Sequence, residues 1–498
     1  MQPTTSHPLG IPHVIQGGMG MGVSGNRLAR TVALCGGLGV VSGVATDTLL
    51  ARRLQDGDPT GDLRRALAAH PDQELVAATI TKFFRPEGRG GAPYRPMLRL
   101  DVGQRRAAVQ LVALGAFVEV WLAKEGHCGP IGINLLEKIQ THLPATLAGA
   151  MLAGVDVVLV GAGIPANLPR LIDGLAKWEP VSYPIDVAEA PDGAKFFVNL
   201  DPADVLGRPT PQLHRPAFLA IVASHVLAQY LARDPATRPD GFVVEGPVAG
   251  GHNAPPRGKL TLDDDGDPIY GAADDANIDR LLALNLPFWL AGGYGTPARV
   301  AQALELGAAG VQVGTVFALS HESGFRGDVR TALRGRLTDG VLHVRTDPAA
   351  SPTGFPFKVA QLPGTIGETE TYDKRVRECD MGYLREAYVR DNGNLSYRCP
   401  AEPVDAYLRK GGKEADTVGC KCLCNGLAAD IGLAQVQGEG MLEAPLVTLG
   451  ADLQGAALLL AEHPEGWSAV DVVNWLDPDA VAPESTALTE LLTSVAVV

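Results

Sequence analysis

The chain has 498 residues, of which 46% are hydrophobic and 20% charged, and these proportions exclude a mainly disordered protein. The net charge of −14, with basic residues scattered along the chain, excludes the basic surface that binds nucleic acid or an anionic membrane. Aromatic residues amount to 5%, which argues against a surface that stacks on bases or sugars. The first ten residues, MQPTTSHPLG, lack a basic segment followed by an apolar one, so no secretory signal is predicted.

Short β-branched runs alternate with helical patterns between about residues 10 and 345. The eight predicted strands are HVIQGG (13–18), GVVSG (39–43), PIGINLL (130–136), VDVVLVG (155–161), AFLAIVAS (217–224), DGFVVEG (240–246), PFWLAGG (287–293) and GVQVGT (310–315). Most are uninterrupted apolar runs, which are typical of parallel strands buried on both faces. This α/β pattern, with eight strands and intervening helices, favours a (β/α)8 TIM barrel over a doubly wound open sheet.

Helices are predicted at 26–34, 143–152, 226–232 and 297–306, the last with Thr296 as its N-cap and Pro297 in its first turn. The longest apolar stretch, residues 145–164, is nearly long enough to cross a membrane. It contains Asp156, and its second half is the β-branched run VDVVLV. We therefore interpret it as a helix that leads into a buried strand, and we expect a soluble, cytoplasmic protein without a membrane partner.

The alternation stops at about residue 345. We predict a barrel over residues 1–345, with loop insertions at about 77–100, 178–215 and 253–275. Residues 346–498 form a C-terminal region that is first polar and Cys-rich and, from about 441, apolar and helical. We expect this region to pack against the barrel.

Glycine-rich turns follow several of the predicted strands, at the end of a TIM barrel where ligands bind. AGGYG after the seventh strand and VGT after the eighth expose backbone N–H groups on consecutive strands. Together they predict a phosphate site at Gly292, Gly293, Gly314 and Thr315. The alternative is that these glycines only form tight turns.

His252 in EGPVAGGHN is the predicted catalytic residue. Glycines beside it let the backbone approach a flat ligand, and a histidine can accept a proton from a carbon acid at neutral pH. The alternative is a histidine that caps or packs. His127 and His225 are interpreted as structural or exposed, and His13 lies at the opposite end of the barrel.

Four segments, in their order along the chain, resemble the nitronate monooxygenase family, once called 2-nitropropane dioxygenases. They are IQGGMGMGVSGNRLARTVALCGGLGVVSG, GINLLEKIQ, EGPVAGGHN and AGGYGTPARVAQALELGAAGVQVGT, and the resemblance covers about residues 8–325. The wider group includes FMN-dependent enoyl-acyl-carrier reductases and flavin NAD(P)H:quinone reductases. The chain departs from the family pattern in the prolines of EGPVAGGHNAPPRGKL and in its Cys-rich region.

The resemblance implies a TIM barrel that binds FMN and oxidises nitronates or nitroalkanes with O2, with His252 as the base. The predicted cofactor-binding residues are Gly17, Gly18, Met19, Asn134, Gly250, Gly251, Gly292, Gly293, Gly314 and Thr315. The expected partners are a small-molecule substrate and O2, and a homodimer is compatible with the sequence. Two alternatives stay open: an FMN-dependent NAD(P)H reductase of an enoyl thioester or quinone, and a catalytically silent flavin-binding module that docks a protein.

Cys35 and Cys128 lie beside apolar segments and are predicted to be small buried residues. The other cysteines are Cys379, Cys399, Cys420, Cys422 and Cys424. This spacing lacks the C-x2-C pairs of zinc ribbons, so it leaves a structural metal site, free or redox-active thiols, and disulfides as alternatives.

Overall fold

The computed structural model describes residues 9–207 and 212–480. All eight predicted strands are confirmed, and they pair into one eight-stranded sheet. We number them as barrel strands 1 to 8: Val14–Gln16, Gly39–Ser42, Ile131–Leu136, Val157–Gly161, Ala217–Val222, Gly241–Glu245, Phe288–Ala291 and Gly310–Val313. The secretory-signal interpretation of the first residues, part of the second insertion and the end of the C-terminal region lie outside the described residues.

The sheet closes into a barrel. Every neighbouring pair is parallel, and strand 1 pairs in parallel with strand 8. Strand 1 also meets the start of strand 2, because the Gln16 N–H donates to the Leu38 carbonyl and the Leu38 N–H to the Val14 carbonyl, each at 3.0 Å. The TIM barrel is therefore confirmed, and the open sheet is excluded.

Helices surround the strands. They are Asn26–Leu34, Thr46–Gln55, Asp62–Ala68, Gln73–Phe83, Arg106–Lys124, Leu143–Leu152, Leu168–Ala176, His225–Arg233, Ile278–Leu282, Pro297–Glu305, Thr315–Ala318 and Gly327–Thr338. The predicted cap is confirmed, because the Thr296 hydroxyl accepts the Arg299 N–H at 3.3 Å. The long apolar stretch also folds as predicted, into helix Leu143–Leu152 and barrel strand 4.

Within the described residues, one helix, Arg106–Lys124, is long and apolar enough to cross a membrane. Of its most apolar window, 78% is buried inside the protein. The helix packs between Thr46–Gln55 and Leu143–Leu152, as a core helix of a globular protein does.

The barrel interior is solid below its mouth. Large apolar side chains fill it, among them Ile15, Leu159, Val243 and Trp289. Because side chains alternate along a strand, Glu245 lies on the same face as Val243, one step nearer the mouth. The cavities of this end therefore stand on a packed base.

The second insertion and the C-terminal region add small sheets and short helices. The strands are Val181–Ile185, Val187–Ala188, Phe196–Leu200, Val344–Asp347, Phe357–Ala360, Glu386–Val389 and Leu395–Arg398. The helices are Pro202–Leu206, Thr369–Lys374, Val404–Arg409, Glu414–Thr417, Leu423–Asp430, the 3-10 turn Gly438–Gly440, Gln454–Glu462 and Ala469–Leu476.

The C-terminal region packs against the barrel. The Trp467 indole donates to the Val316 carbonyl at 2.7 Å, and Val447 and Leu449 belong to the same apolar core as the barrel helices. The division into a barrel of residues 1–345 and a separate region of 346–498 stays a prediction.

Candidate active site

Two adjoining cavities open at the carboxyl ends of the barrel strands. The glycine cavity has a volume of about 160 Å³ and is lined by the loops after strands 1, 6, 7 and 8 and by residues 448–456. The histidine cavity, of about 150 Å³, is lined by the ends of strands 2 to 6 and by the C-terminal region. Seven residues line both: Gly18, Gly20, Glu245, Gly250, Gly251, Gln312 and Thr448.

The structure brings all the predicted site residues to these two cavities. Those that line the glycine cavity are Gly17, Gly18, Met19, Gly250, Gly251, Gly292, Gly293, Gly314 and Thr315. Asn134 and His252 line the histidine cavity. Their shared location agrees with one ligand site, and the role of each residue stays a proposal.

The glycine cavity has the features of a cradle for phosphate. Gly292 and Gly293 have φ of +80° and +83°, the left-handed conformation that favours glycine. Within the described part of the chain, the N–H groups of Gly293 and Gly314 donate to no protein acceptor. A Cβ on Gly314 would meet only the Met19 sulfur, at 3.7 Å, so the space above this glycine is open to a ligand.

The polar groups of this cavity include backbone N–H donors, the Thr315 hydroxyl and the Asp452 carboxylate. Among the described residues, no lysine or arginine lines either cavity. The Thr315 hydroxyl accepts the Gly450 N–H at 3.0 Å, which leaves its own hydrogen to donate. Asp452 also lines the cavity, but its carboxylate accepts the Gln454 N–H at 2.9 Å. An anion would therefore be held by N–H and O–H donors, as at other barrel phosphate sites.

His252 is fixed at the wall of the histidine cavity by the C-terminal region. Its Nε2 lies 2.7 Å from the Ser351 Oγ, and its ring packs edge-on against Phe357 at 4.8 Å. The Lys358 N–H donates to the Gly251 carbonyl and the Asn253 N–H to the Pro356 carbonyl, each at 2.9 Å. These hydrogen bonds attach the glycine turn to strand Phe357–Ala360 and to the residue before it.

Burial lowers the pKa of His252 to about 4. The imidazole is therefore neutral at pH 7, and one ring nitrogen can accept a proton. The Ser351 hydroxyl restrains the ring at Nε2 and itself lies 2.8 Å from the Thr353 hydroxyl. Ser351 and Thr353 thus orient the histidine.

The rest of the histidine cavity has an apolar wall. Leu136, Ile139, Leu384, Leu423 and Leu427 line it, together with the Cys424 thiol. This surface suits an aliphatic group better than a charged one.

Asn134 and Gly18 lie close together at the mouth. A Cβ on Gly18 would collide with the side chain of Asn134, so this glycine is required by the approach of the asparagine. Part of the glycine pattern that predicts a ligand thus serves the protein's own packing.

Sequence reasoning missed several residues of the mouth. Glu245 lies inside the EGPVAGGHN segment, and Gln312 lies on barrel strand 8, so both could have been found from alternation along their strands. Ser351, Tyr383 and Thr448 come from loops whose sequence carries no periodic signal. The Gly251 N–H donates to the Thr448 hydroxyl at 3.0 Å, so this loop supports the predicted turn.

The other histidines have structural contacts. His127 bonds to the Ala123 carbonyl at 2.6 Å, His225 accepts the Asn277 N–H at 3.2 Å, and His13 bonds to the Ala309 carbonyl at 2.7 Å. None of the three lines either cavity of the mouth.

The seven cysteines are free thiols. Cys35 is buried as predicted, but the prediction for Cys128 is wrong, because this residue follows the end of its helix and is exposed. Cys399, Cys420 and Cys422 form a buried cluster with Cys424 against it. In the described ranges, no group of three or more histidine, cysteine or acidic side chains is arranged to hold a metal ion.

Comparison with known proteins identifies relatives. Residues 213–347 match the family model described as nitronate monooxygenase. A nitronate monooxygenase of Paraburkholderia phytofirmans is 32% identical over 177 residues, which are 35% of this chain and 44% of the relative. One of Pseudomonas aeruginosa is 29% identical over 209 residues, 41% of this chain and 56% of the relative. The chain thus matches about half the length of these curated relatives.

Solved structures were also compared. FabK from Thermotoga maritima aligns over 97% of this chain and 96% of its own, with 16% identity and a TM-score of 0.45. The nitroalkane oxidase from Streptomyces ansochromogenes aligns over 97% of each chain, with 17% identity and a TM-score of 0.43. The fold assignment rests on strand order and closure, not on these likenesses.

Proposed function

We propose that this chain is an FMN-dependent oxidoreductase that oxidises nitronates with O2, a proposal supported by the match of residues 213–347 to the nitronate monooxygenase model and by two similar nitronate monooxygenases. The observation that carries the proposal is the half-buried His252, neutral at pH 7, beside a cradle of backbone donors. The proposed small-molecule partners are the substrate and O2. A homodimer and a cytoplasmic location remain predictions from the sequence.

The residues of the mouth fit FMN. The donors at Gly293, Gly314 and Thr315 would hold its phosphate, and Gly251, where an added Cβ would meet nothing within 4 Å, leaves open space for a flat ring. When bound, FMN supplies the electron transfer between substrate and O2.

The pKa of His252 bears on the substrate. A neutral nitroalkane must lose a proton from its α-carbon, and His252 is the residue that we propose as the base. Because burial lowers its pKa to about 4, it is a weak base at neutral pH. A nitronate has already lost that proton, so the site is better suited to nitronates than to nitroalkanes. The apolar wall would hold the alkyl group.

The same apolar wall favours a second candidate. The leucine side chains of this wall would also accept the acyl part of an enoyl thioester. An FMN-dependent reductase would reduce such a substrate with NAD(P)H. The two candidates differ in their electron donor.

Anaerobic visible spectroscopy separates them. We expect the purified protein to show a flavin band that an alkyl nitronate reduces and that NAD(P)H leaves unchanged. Bleaching by NAD(P)H without a response to nitronate would show a reductase instead. A colourless protein that cannot be reconstituted with FMN would contradict the proposed cofactor.

Replacement of His252 tests its role as base. H252Q should lower turnover of a neutral nitroalkane by about 10²–10⁴-fold, the usual contribution of general base catalysis, and affect nitronate turnover much less. H225Q is the matched control, because that histidine lies outside both cavities. If H252Q changes neither rate, His252 is not the base; a wild-type protein that binds FMN and turns over neither substrate would instead be the silent flavin-binding module.

A further inference from the structure

Glu245 occupies a central place in the mouth. It is the last residue of barrel strand 6, in register with Ala291 of strand 7. Its side chain lines the glycine cavity, the histidine cavity and a third cavity of about 180 Å³ beside Ser224 and Asn253. Of the seven residues that line both of the first two cavities, Glu245 is the one with an ionisable side chain.

The carboxyl group of Glu245 has no bonding partner in residues 9–207 and 212–480. Among the described residues, it takes part in no side-chain hydrogen bond or ion pair, and burial is the one cause that raises its pKa, to about 7. An ionised carboxylate in such a place is costly unless a donor compensates it. The neutral acid is therefore the favoured form over much of the acidic and neutral range.

The charged and titratable groups around Glu245 do not supply that compensation. Across the glycine cavity stand Asp452 and Tyr294. Across the histidine cavity stand His252, Tyr383 and Cys424. The third cavity adds Arg257, Tyr270 and Asp274. None of these groups contributes to the pKa of Glu245, the single arginine included.

A neutral carboxyl group changes what the mouth offers a ligand. It carries one O–H donor, which a carboxylate lacks. The neighbouring Gln312, which lines the same two cavities, has a buried Oε1 without a partner in the described part of the chain. The mouth thus presents one unpaired acceptor and, on Glu245, one unpaired donor. A heterocyclic ring with both ring N–H and carbonyl groups complements this pair.

We propose that the neutral Glu245 carboxyl group donates a hydrogen bond to the flavin, and that FMN binding to this chain is therefore linked to the uptake of a proton. The inference rests on the proposed function, because it takes FMN as the ligand of the mouth. An ionised Glu245 would lose the donor and would place a negative charge beside an anionic cofactor.

The size of the effect follows from the titration. If only the acid form binds, the apparent Kd is the intrinsic Kd divided by the fraction of neutral Glu245. With a pKa of about 7, that fraction is close to one at pH 6 and falls about tenfold for each pH unit well above the pKa. The Kd for FMN should therefore rise about a hundredfold between pH 6 and pH 9.

The test is the pH dependence of FMN affinity, measured by quenching of flavin fluorescence on the full chain after removal of bound flavin. Wild type should show the hundredfold rise. E245Q keeps an N–H donor and cannot ionise, so its Kd should match the wild-type value at pH 6 and change less than about threefold up to pH 9. D192N, at an exposed acidic residue outside the cavities of the mouth, should retain the wild-type profile.

A second measurement needs no variant. Calorimetric titration of wild type with FMN at pH 8, in buffers of different ionisation enthalpy, should show uptake of about one proton. A wild-type Kd that is constant from pH 6 to pH 9, or a pH dependence that persists in E245Q, would overturn the inference and leave the proposed function standing. Absence of FMN binding at every pH would overturn both.

Discussion

Gly314 offers a test of the phosphate cradle in which the protein itself tolerates the change. The residue has φ of −113°, which any amino acid adopts, and an added Cβ would meet only the Met19 sulfur at 3.7 Å. G314A should therefore fold normally. The new methyl group would project into the glycine cavity, where we place the phosphate of FMN.

The expected magnitude follows from the donors that the methyl group displaces. A hydrogen bond to a charged group contributes about 1.5–3 kcal/mol, and 1.4 kcal/mol corresponds to a tenfold change in Kd. Loss of one such bond should weaken FMN binding about 10- to 100-fold. The free energy of unfolding should change by less than about 1 kcal/mol, because Gly314 precedes a single helical turn.

G335A is the matched control. Gly335 lies on the exposed face of helix Gly327–Thr338, where an added Cβ meets nothing within 4 Å. This variant should leave the Kd for FMN unchanged and should stabilise the protein by about 0.5–1 kcal/mol. Fluorescence titration and urea unfolding measure the two quantities. If G314A binds FMN as tightly as wild type, the phosphate does not lie at Gly314 and the assignment of the cradle is refuted.

The remaining predictions concern orientation and burial. S351A removes the hydroxyl group 2.7 Å from His252 and should lower kcat for a neutral nitroalkane about tenfold without changing the Kd for FMN. S351T should recover most of the rate. Equal rates in wild type and both variants would refute the orienting role. Asp430 is fully buried with both carboxyl oxygens unpaired, and burial raises its pKa well above the usual range. Its neutral form therefore stabilises the fold at acid pH, and this stability is lost as the pH rises through the raised pKa. D430N should be more stable than wild type by about 1–3 kcal/mol at pH 8, with a difference that shrinks toward pH 4 in urea unfolding; a constant difference would contradict this.

The barrel was predictable because each strand is identified by its own short segment of sequence. Each is a short apolar run bounded by glycine or proline, and parallel strands buried on both faces need no longer-range information. The cap at Thr296 was predictable for the same reason, since an N-cap acts within three residues. The exposure of Cys128 was not predictable, because an apolar helix does not determine whether a residue just beyond its end is buried.

The mouth was predictable only in part. Its glycine turns follow strands and therefore share one end of the barrel, whatever the rest of the chain does. The partners of His252 come from about a hundred residues further on, where Ser351 and Phe357 occur in segments without periodicity. No local sequence pattern predicts that a distant loop will cover a barrel, so these partners of His252 could be identified only from the three-dimensional structure.

The C-terminal region changes the chemistry of the mouth, since the barrel alone would leave His252 open to water. Ser351 and Phe357 cover the ring, and burial shifts its pKa from the usual value of 6.5 to about 4. The same enclosure acts in the opposite direction on the acid Glu245, whose pKa rises to about 7. Burial thus disfavours the charged form of both groups and exchanges their order of titration. Between pH 4 and pH 7 the mouth holds a neutral imidazole and a neutral carboxyl group, one able to accept a proton and the other able to donate one. Exposure of both groups to water would return their pKa values to about 6.5 and 4.3 and give a protonated histidine and an ionised glutamate between those two values.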